Sequence, residues 1–326
     1  MKHIPEELLL FLNKYSHYII ASHKEPDGDS VGSSRAMDHF LRSKGKTTTL
    51  LSAGPFKRPE LHGMEHYFAQ RIDPASLSAD TGVLVLDCSN IERVGDAAEG
   101  ITHLDRVVID HHATNSAEGP ADYIDSHAPS TTVLVQAIIE HVNGAVSAEE
   151  ADCLLFGLCT DTGYFRHLDK SQGEAFHCAG RLAEAGADPK KTYSRITGGK
   201  SFGSRILISR ILGRMQSYYD GALIISWETL AETAEFGMEG RDSDSLYQLI
   251  QSISGVEAIV VIRQETETNC TVGFRSRDKI DVSQVASSFG GGGHRQASGL
   301  SIAGTIEELL PRLVEAFAPQ FAALDV

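Results

Sequence analysis

The chain has little positive charge, because 29 lysines and arginines stand against 44 aspartates and glutamates. The net charge of −15 at pH 7 predicts no broad basic surface of the kind that binds long duplex nucleic acid. We therefore expect any nucleotide partner to be short and to be bound at a local site.

Cysteine is scarce as well, with five residues among 326. Their number is odd and they form no CxxC pair or other zinc-binding spacing, which argues against a disulfide framework and against structural zinc. We expect five free thiols, most of them in the core: Cys88, Cys153, Cys159, Cys178 and Cys270.

Long apolar runs are also missing. No window reaches the length of a membrane span, and residues 1–13 lack the basic region and apolar core of a signal peptide. We therefore expect a cytoplasmic protein with no membrane contact. At 326 residues the chain is long enough for two domains that each bury a core.

Strand-like and helical patterns alternate from residue 1 to about 185, which is typical of a parallel α/β sheet. Predicted strands there are 17–22, 47–51, 82–86 and 107–109, and predicted helices are 29–43, 131–142 and 149–160. Further strands are predicted at 222–226, 256–262, 270–274 and 297–302. We place a first domain at 1–187, a connector at 188–205 and a second, smaller α/β domain at 206–326.

Acidic and imidazole side chains follow three of the predicted strands. These side chains are His23, Asp27 and Asp29 after the first strand, Asp87 after 82–86, and Asp110-His111-His112 after 107–109. A further acid, Asp161, ends the predicted helix 149–160. Because the carboxyl ends of parallel strands meet at one edge of a sheet, where ligands bind, we expect these residues to converge.

The first of these segments is predicted to be an extended loop that offers three ligands. Pro26 keeps Glu25 out of the helical region, and Gly28 lets the backbone bend between Asp27 and Asp29. An alternative is that a strand-end aspartate simply caps the helix that follows it. Several acids and histidines at successive strand ends favour a metal site over this alternative.

The candidate ligands are imidazoles and carboxylates without a thiolate: His23, Asp27, Asp29, Asp87, His111 and Asp161. Such a set favours manganese or magnesium over structural zinc, and the histidines favour manganese. Six ligands are too many for one ion that must leave positions open for a substrate. Two ions about 3.5–4 Å apart that share one carboxylate would use all six, an arrangement suited to phosphoryl transfer.

A run of four glycines, 290–293, precedes His294 and lies between a predicted helix and the strand 297–302. A flexible linker is one interpretation, but a loop whose backbone N–H groups bind a phosphate fits this position better. Arg275 and Arg277 end the neighbouring strand and carry guanidinium groups that bind phosphate oxygens well. The alternative is a solvated strand end; we favour the phosphate role for Arg275 and leave both interpretations open for Arg277.

Five motifs in this order resemble the DHH phosphoesterase superfamily. They are HKEPDGD at 23–29, VLDCSN at 85–90, the triplet at 110–112, GLCTDTGYF at 157–165 and FGGGGHRQASG at 289–299. The resemblance implies a DHH domain at 1–187 and a DHHA1 domain at 206–326, with the active site in the cleft between them. One departure is Gly273-Phe274-Arg275-Ser276, which stands where Ser-Leu-Arg-Ser is expected.

The resemblance also implies a role for each candidate residue. His23 and Asp27 would hold a first ion and Asp29, His111 and Asp161 a second, with Asp87 bridging the two. His112 would face the scissile phosphate, and Asp110 would orient the histidines from behind. The residues that would hold the other phosphate or the terminal nucleotide of the substrate are Arg275, Gly292, Gly293 and His294.

The domain pair is similar to the subfamily of oligoribonucleases and 3′-phosphoadenosine 5′-phosphate (pAp) phosphatases. This implies a phosphoesterase with two Mn²⁺ ions, or Mg²⁺, that hydrolyses short single-stranded RNA to nucleoside monophosphates and pAp to AMP. One alternative is a linear or cyclic di-adenylate phosphodiesterase. Another is a pyrophosphatase or exopolyphosphatase, which should need a more basic second domain. A third is a non-catalytic nucleotide sensor, although all six ligands are present. The apolar helix 131–142 suits a homodimer interface or, as we favour, the core.

Overall fold

A five-stranded sheet forms the first structural unit. The computed structural model describes residues 2–115 and 119–324, and the chain divides after Gly199 into two compact units. The strands of the first unit are β1 (His17–Ala21), β2 (Thr47–Leu51), β3 (Thr81–Leu86), β4 (Arg106–Asp110) and β5 (Tyr123–Ile124). They pair in parallel in the order β2-β1-β3-β4-β5. In a sheet with this order the connections reverse direction between β1 and β3, and ligands bind beyond the carboxyl ends of the strands there.

Both faces of this sheet are covered. The helices of the unit are α1 (Glu6–Lys14), α2 (Gly28–Ser43), α3 (Thr131–Asn143), α4 (Ala148–Asp161), α5 (Glu174–Glu184) and α6 (Pro189–Thr197). Ile20 and Leu84 share a core with residues of α1 to α4, whereas Ile19 and Val83 pack with the 3-10 segment Ile91–Gly100 on the other face. Burial on both faces explains why these strands are continuous apolar runs in the sequence.

The second unit is built on a six-stranded sheet in the order β10-β11-β9-β8-β7-β6. Its strands are β6 (Gln216–Tyr218), β7 (Leu223–Glu228), β8 (Ala258–Thr266), β9 (Asn269–Ser276), β10 (Gly292–His294) and β11 (Ala297–Ala303). Its helices are α7 (Phe202–Gly213), α8 (Leu230–Phe236), α9 (Ser243–Gln251), α10 (Val282–Ser288) and α11 (Ile306–Ala322). Residues of α7 and α9 pack on one face of the sheet, and residues of α10 and α11 pack on the other.

The predicted fold class is confirmed, with a parallel sheet in the first unit and a second, smaller α/β unit. The capping boxes that open α4, from Ser147 with Glu150, and α11, from Thr305 with Glu308, both form. The five cysteines are free and all but Cys153 are buried. Within the described ranges, no helix combines the length and the apolar character needed to cross a membrane.

Several segments differ from the sequence predictions. The glycine run is not simply a loop, because its last two residues and His294 form β10, which pairs with β11. The segment 188–205 contains α6 and the start of α7, so it is largely helical. Helices α8 and α9 lie in a region, 229–251, to which we assigned no element. The domain bounds at 187 and 206 stay a prediction.

Candidate metal centre

Asp27 lies at the start of α2 and uses its two oxygens differently. Its Oδ1 accepts hydrogen bonds from the backbone N–H groups of Asp29, at 3.1 Å, and Ser30, at 3.0 Å, so Asp27 is the N-cap of α2. Its Oδ2 lies 3.9 Å from Nε2 of His23 and 3.8 Å from Nη2 of Arg58. The capping and the metal-binding interpretations therefore both fit this carboxylate, one for each oxygen.

Residues 22–27 before α2 contain no helix or strand, as the predicted loop requires, but α2 begins at Gly28, one residue earlier than predicted. Asp29 already lies in the first helical turn, and Glu25 stays out of the right-handed helical region with a φ of 54°. Gly28 has a helical backbone, and a Cβ atom there would overlap Oγ1 of Thr160 on α4. Gly28 thus allows two helices to touch, and the backbone changes there from the extended conformation of Asp27 to the helix.

The carboxylate of Asp29 is buried and joins two helices. Its Oδ2 accepts the backbone N–H of Thr131 at 2.6 Å and its Oδ1 that of Thr132 at 2.9 Å, both in the first turn of α3. Oδ2 also lies 3.9 Å from Nε2 of His111. Burial raises the pKa of Asp29 well above its usual range, and the nearby carboxylate of Asp87 adds to this shift. A cation at this point would favour the ionised form.

Asp87 directly follows β3 and faces His23 and His111. Its φ of 54° lies in the left-handed region that aspartate adopts only occasionally. Its Oδ2 lies 3.6 Å from Nε2 of His23, and its Oδ1 lies 3.7 Å from Nε2 of His111. Ser30 Oγ donates to Oδ2 at 2.7 Å and Thr131 Oγ1 to Oδ1 at 3.1 Å, which fixes the plane of the carboxylate.

The ionisation of Asp87 reflects opposing effects. Burial would raise its pKa, but the imidazole of His23, 3.6 Å away, and the hydrogen bond from Ser30 outweigh burial and hold the pKa below its ordinary value. Burial would likewise lower the pKa of His23, but the adjacent carboxylate of Asp87 outweighs burial and raises it. Asp87 is therefore the anionic centre of this group of residues.

Backbone carbonyls orient the rings of His23 and His111. Nδ1 of His23 lies 2.8 Å from the carbonyl oxygen of Lys24, and Nδ1 of His111 lies 3.2 Å from that of Ala128. A carbonyl accepts only, so each Nδ1 carries a proton, which in a neutral ring leaves the lone pair on Nε2, the nitrogen that lies nearest the carboxylates. This is the tautomer that a metal-binding histidine needs.

Asp161, at the end of α4, completes the cluster. Its Oδ2 lies 3.5 Å from Nε2 of His111, and its side chain is 29% exposed. Partial burial raises its pKa to about 6; His111 opposes this shift, while the carboxylates of Asp87 and Asp27 add to it. The candidate ligands thus comprise four carboxylates and two imidazoles.

The side chains form overlapping groups whose ligand atoms lie within 4.8 Å of one another. These groups are His23, Asp27 and Asp87; Asp29, His111 and Asp161; and Asp87, His111 and His112. Oxygen and imidazole donors fit Mn²⁺ or Mg²⁺. Cys88, although next to Asp87, contributes no thiolate, because its Sγ donates to the Asn90 carbonyl oxygen and burial raises its pKa to about 12. The residues present fit one or two hard divalent cations.

His112 is held by Asp110. Its Nδ1 lies 2.8 Å from Oδ1 of Asp110, and this hydrogen bond raises the pKa of His112. Asp110 is fully buried and also accepts from the side chain of Asn115 at 2.7 Å. Its contact with His111 is to the backbone N–H, at 2.8 Å, so it orients only one of the two imidazole rings.

Sequence reasoning missed several neighbours of the ligands. Ser30, Thr131 and the carbonyl of Ala128 contact them, and Arg58 lies beside Asp27. A signal existed for one of them, because the first turn of the helix predicted at 131–142 needs hydrogen-bond acceptors, and buried Asp29 supplies them.

The candidate residues of the second unit fall partly on one face of its sheet. Arg275 in β9 stands opposite Ala297 in β11, which stands opposite His294 in β10. Gly292 lies two residues from His294 and therefore on the same face, whereas Gly293 lies on the opposite face. A Cβ at Gly293 would come within 2.6 Å of the Ala297 carbonyl oxygen, so this glycine is required by strand packing. The guanidinium of Arg277 is already used in another contact, because its Nη2 donates to the carbonyl oxygen of Gln251.

Comparisons with known proteins agree with this two-unit arrangement. The family described as "DHH family, N-terminal domain" matches residues 17–158, and the DHHA1 domain matches residues 222–323. Both matches lie within one structural unit each.

Full-length relatives and a solved structure are also similar to this chain. The bifunctional oligoribonuclease and PAP phosphatase NrnA of Thermus thermophilus is 30% identical over 91% of this chain and 88% of its own. The cyclic-di-AMP phosphodiesterase GdpP of Bacillus subtilis is 25% identical over 96% of this chain, which spans 50% of that protein. The crystal structure of an exopolyphosphatase-related protein from Bacteroides fragilis has a TM-score of 0.77, with 97% of both chains covered at 24% identity. The last similarity concerns the fold alone.

Proposed function

The chain belongs to the DHH family, with a DHHA1 domain after the DHH domain, and from this premise we propose that it hydrolyses short oligoribonucleotides to nucleoside monophosphates and pAp to AMP. Membership of this family makes it a metal-dependent phosphoesterase. The observation that carries the proposal is the position of Asp87, whose Oδ2 faces His23 of one ligand group and whose Oδ1 faces His111 of another.

Each ligand group has the donors for one divalent cation. His23 and Asp27 would hold the first ion and Asp29, His111 and Asp161 the second, with Asp87 between them. We propose Mn²⁺ for both, because imidazole nitrogen suits manganese better than magnesium. When bound, the cations supply Lewis acidity that neutralises the charge of a phosphate.

His112 is the proposed acid. Asp110 occupies its Nδ1, so Nε2 is left to face a substrate from a ring that is 35% exposed. A carboxylate behind an imidazole stabilises the protonated ring, which can donate to the leaving oxygen or stabilise the charge that develops on the phosphate. Asp110 acts through His112 and is a positioning residue.

The second unit supplies the proposed contacts to the rest of the substrate. Arg275, Gly292 and His294 lie on one face of the sheet and suit a phosphate together with a nucleoside. Gly293, the fourth residue expected there, would contribute through its backbone. The charge of −15 on the whole chain agrees with short substrates, since long strands need an extended basic surface.

A second candidate is hydrolysis of linear or cyclic di-adenylate. The observation that favours it is the similarity to a cyclic-di-AMP phosphodiesterase over 96% of this chain. Both candidates would use the same ligands and the same acid, so substrate preference alone separates them.

Product analysis tests the proposal. The purified protein with Mn²⁺ is incubated with pAp, a 5′-phosphorylated RNA dinucleotide, cyclic di-adenylate and pyrophosphate, and the products are separated by chromatography. We expect turnover of the first two substrates and loss of that turnover in Asp161→Ala. The control variant Asp152→Asn, on an exposed face of the same helix, should lose no turnover. Turnover of di-adenylate or pyrophosphate alone would contradict the proposal, and no turnover at all would favour a nucleotide sensor.

The control variant changes the charge of α4 without changing a candidate ligand. Asp152→Asn removes one acid from α4, as Asp161→Ala does, but leaves every candidate ligand in place. We therefore expect its turnover to match that of the wild type. Equal loss in both variants would mean that the effect comes from the helix and not from the ligand.

A further inference from the structure

Tyr247 and Gly273 form a fitted pair in the second unit. Tyr247 lies on α9, is 5% exposed, and packs above Gly273 of β9. A Cβ at Gly273 would overlap the phenol oxygen, so the ring occupies the space that any other side chain at 273 would take. Among the described residues this buried hydroxyl has no hydrogen-bond partner. The ring is therefore placed by shape and not by a hydrogen bond of its own.

Arg275 rests on this ring. It lies two residues beyond Gly273 on the same face of β9, and its guanidinium carbon is 4.7 Å from the centroid of the Tyr247 ring. This is a cation–π distance. Nη1 of Arg275 also donates to the Phe274 carbonyl oxygen at 2.9 Å. The Tyr247 ring and the backbone of β9 thus both hold the Arg275 side chain in place.

The positive charge of Arg275 lacks an acidic partner, in contrast to its neighbours. Nε of Arg263 lies 3.3 Å from Glu228, and Arg241 pairs with Glu228 at 2.9 Å and with Glu265 at 3.0 Å. Over residues 2–115 and 119–324, no carboxylate lies within ion-pairing distance of Arg275. An ordered arginine without a counter-charge is suited to bind an anion.

The backbone beside Arg275 is not covered by side chains, because the neighbouring strand positions are glycines. Gly273 stands opposite Gly299 in β11, and Gly299 stands opposite Gly292 in β10, so three glycines form one row across three strands. Gly292 and Gly299 are exposed, and a ligand can approach the backbone closely there. His294 lies at the far end of the Arg275 row.

We propose that Tyr247 is a positioning residue that holds Arg275 for a phosphate of a nucleotide, and that Gly273 is the residue that admits Tyr247. The inference rests on the proposed function in that Arg275 binds substrate. It also explains the departure at 273, where the resemblance leads us to expect serine. Holding the guanidinium in place before binding reduces the cost of ordering it afterwards.

Four variants of the full-length protein test the pairing, with ligand binding measured after divalent ions have been removed by a chelator. Gly273→Ala should displace the Tyr247 ring and weaken binding of 5′-AMP roughly tenfold, because the support of Arg275 is lost. Tyr247→Phe keeps the ring and should bind AMP as the wild type does. The double variant should regain wild-type affinity, since the next ring atom, Cζ, would lie 3.5 Å from the new Cβ, an ordinary contact. Arg275→Ala shows the AMP affinity that remains when the guanidinium is removed altogether.

Adenosine, which lacks the phosphate, is the control ligand. We expect its affinity to be the same in all four variants. Weakening of AMP and adenosine together by Gly273→Ala would overturn the proposal, as would a double variant that is not restored. If Gly273→Ala does not fold, Tyr247→Leu, which removes the ring without adding a clash, should weaken AMP and not adenosine.

Turnover separates this proposal from the function on which it rests. With Mn²⁺ and pAp, Gly273→Ala should raise KM about tenfold and leave kcat within about twofold, whereas a general structural defect would also lower kcat. If the wild type hydrolyses neither pAp nor the dinucleotide but shows the AMP pattern, the proposed function fails and the pairing stands. If turnover is present and Gly273→Ala binds AMP normally, the pairing fails.

Discussion

At the scale of single residues, the candidate site depends on hydrogen bonds that fix each ligand before any ion arrives. The rings of His23 and His111 are oriented by two backbone carbonyls, and the carboxylate of Asp87 by two hydroxyls. The sequence predicted these candidate ligands because all but Asp161 follow a strand, and Asp161 ends a helix of the same unit. It did not predict Ala128 or Thr131, because these approach the site through tertiary contacts that no local pattern records.

His112 is expected to act in turnover and not in metal binding. Because its Nδ1 is bonded to Asp110, His112→Ala should lower kcat by roughly 10²–10⁴-fold, the usual contribution of a positioned proton donor. The bound manganese, measured by elemental analysis, should stay at the wild-type level.

His111→Ala is the matched comparison, since its Nε2 faces three carboxylates. This variant should lose metal together with turnover. Equal metal loss in His112→Ala would show that the group of Asp87, His111 and His112 is the true ligand set.

Glu232 is expected to make stability depend on pH. Burial would raise its pKa, but a bidentate pairing with Arg214 and a bond from Thr229 lower it to about 2, from a model-compound value of 4.5. Because the pKa of Glu232 is lower in the folded state than in the unfolded state, its ionised carboxylate stabilises the fold above pH 4.5. This stabilisation is lost as the pH falls toward 2. The difference in unfolding free energy between wild type and Glu232→Gln, at most about 3 kcal/mol at pH 7, should shrink across that range.

Chemical denaturation at a series of pH values measures this difference. Glu184→Gln, at an exposed position of α5, is the surface control and should show no comparable change. A difference for Glu232→Gln that is the same at pH 6 and pH 3 would contradict the assignment to the ion pair.

At the scale of elements, glycine packing between α2 and α4 places the ligands. A Cβ at Gly32 would lie 2.6 Å from the Cys153 carbonyl oxygen, and one at Gly157 would lie 3.1 Å from Cα of Asp29. Because the helices touch, the end of α4 brings Asp161 to the start of α2. The sequence predicted both helices and the capping box of α4, but the spacing between helices depends on contacts across more than 100 residues.

Gly157→Ala should therefore disturb both stability and metal binding. The new Cβ would lie 2.5 Å from Cγ2 of Thr132, and overpacking of this kind costs about 1–3 kcal/mol. We expect a lower melting temperature and weaker binding of the ion assigned to Asp29, His111 and Asp161, measured by thermal unfolding and metal titration.

Gly180→Ala provides the matched helix control. Gly180 lies in α5 with no atom within 4 Å of an added Cβ, so alanine there should raise stability by about 0.5–1 kcal/mol and leave metal affinity unchanged. If both variants behave alike, the effect of Gly157→Ala is one of helix propensity and the packing argument is wrong.

At the scale of the whole molecule, two units each have their own core, and all candidate ligands belong to the first. The sequence predicted this organisation from the change of pattern along the chain. It did not predict β10, because a glycine-rich segment has no side-chain alternation, and pairing with β11 alone makes it a strand.

Metal binding should therefore protect the two units unequally. A ligand at 100 times its dissociation constant stabilises the state that binds it by about 2.7 kcal/mol. On addition of Mn²⁺, hydrogen exchange should slow in peptides that cover β1, β3 and the start of α2, and change little in β8 and β9. Equal slowing in both units would contradict a site confined to the first one.

The double use of Asp27, as N-cap and as candidate ligand, limits how the site can evolve or be redesigned. Replacing it with histidine or cysteine to favour a softer metal would also leave the first N–H groups of α2 without their acceptor. A change of metal preference would thus arrive together with a weaker fold. Asparagine would keep the cap but remove the charge, so no single substitution at 27 alters selectivity without a second, compensating change elsewhere.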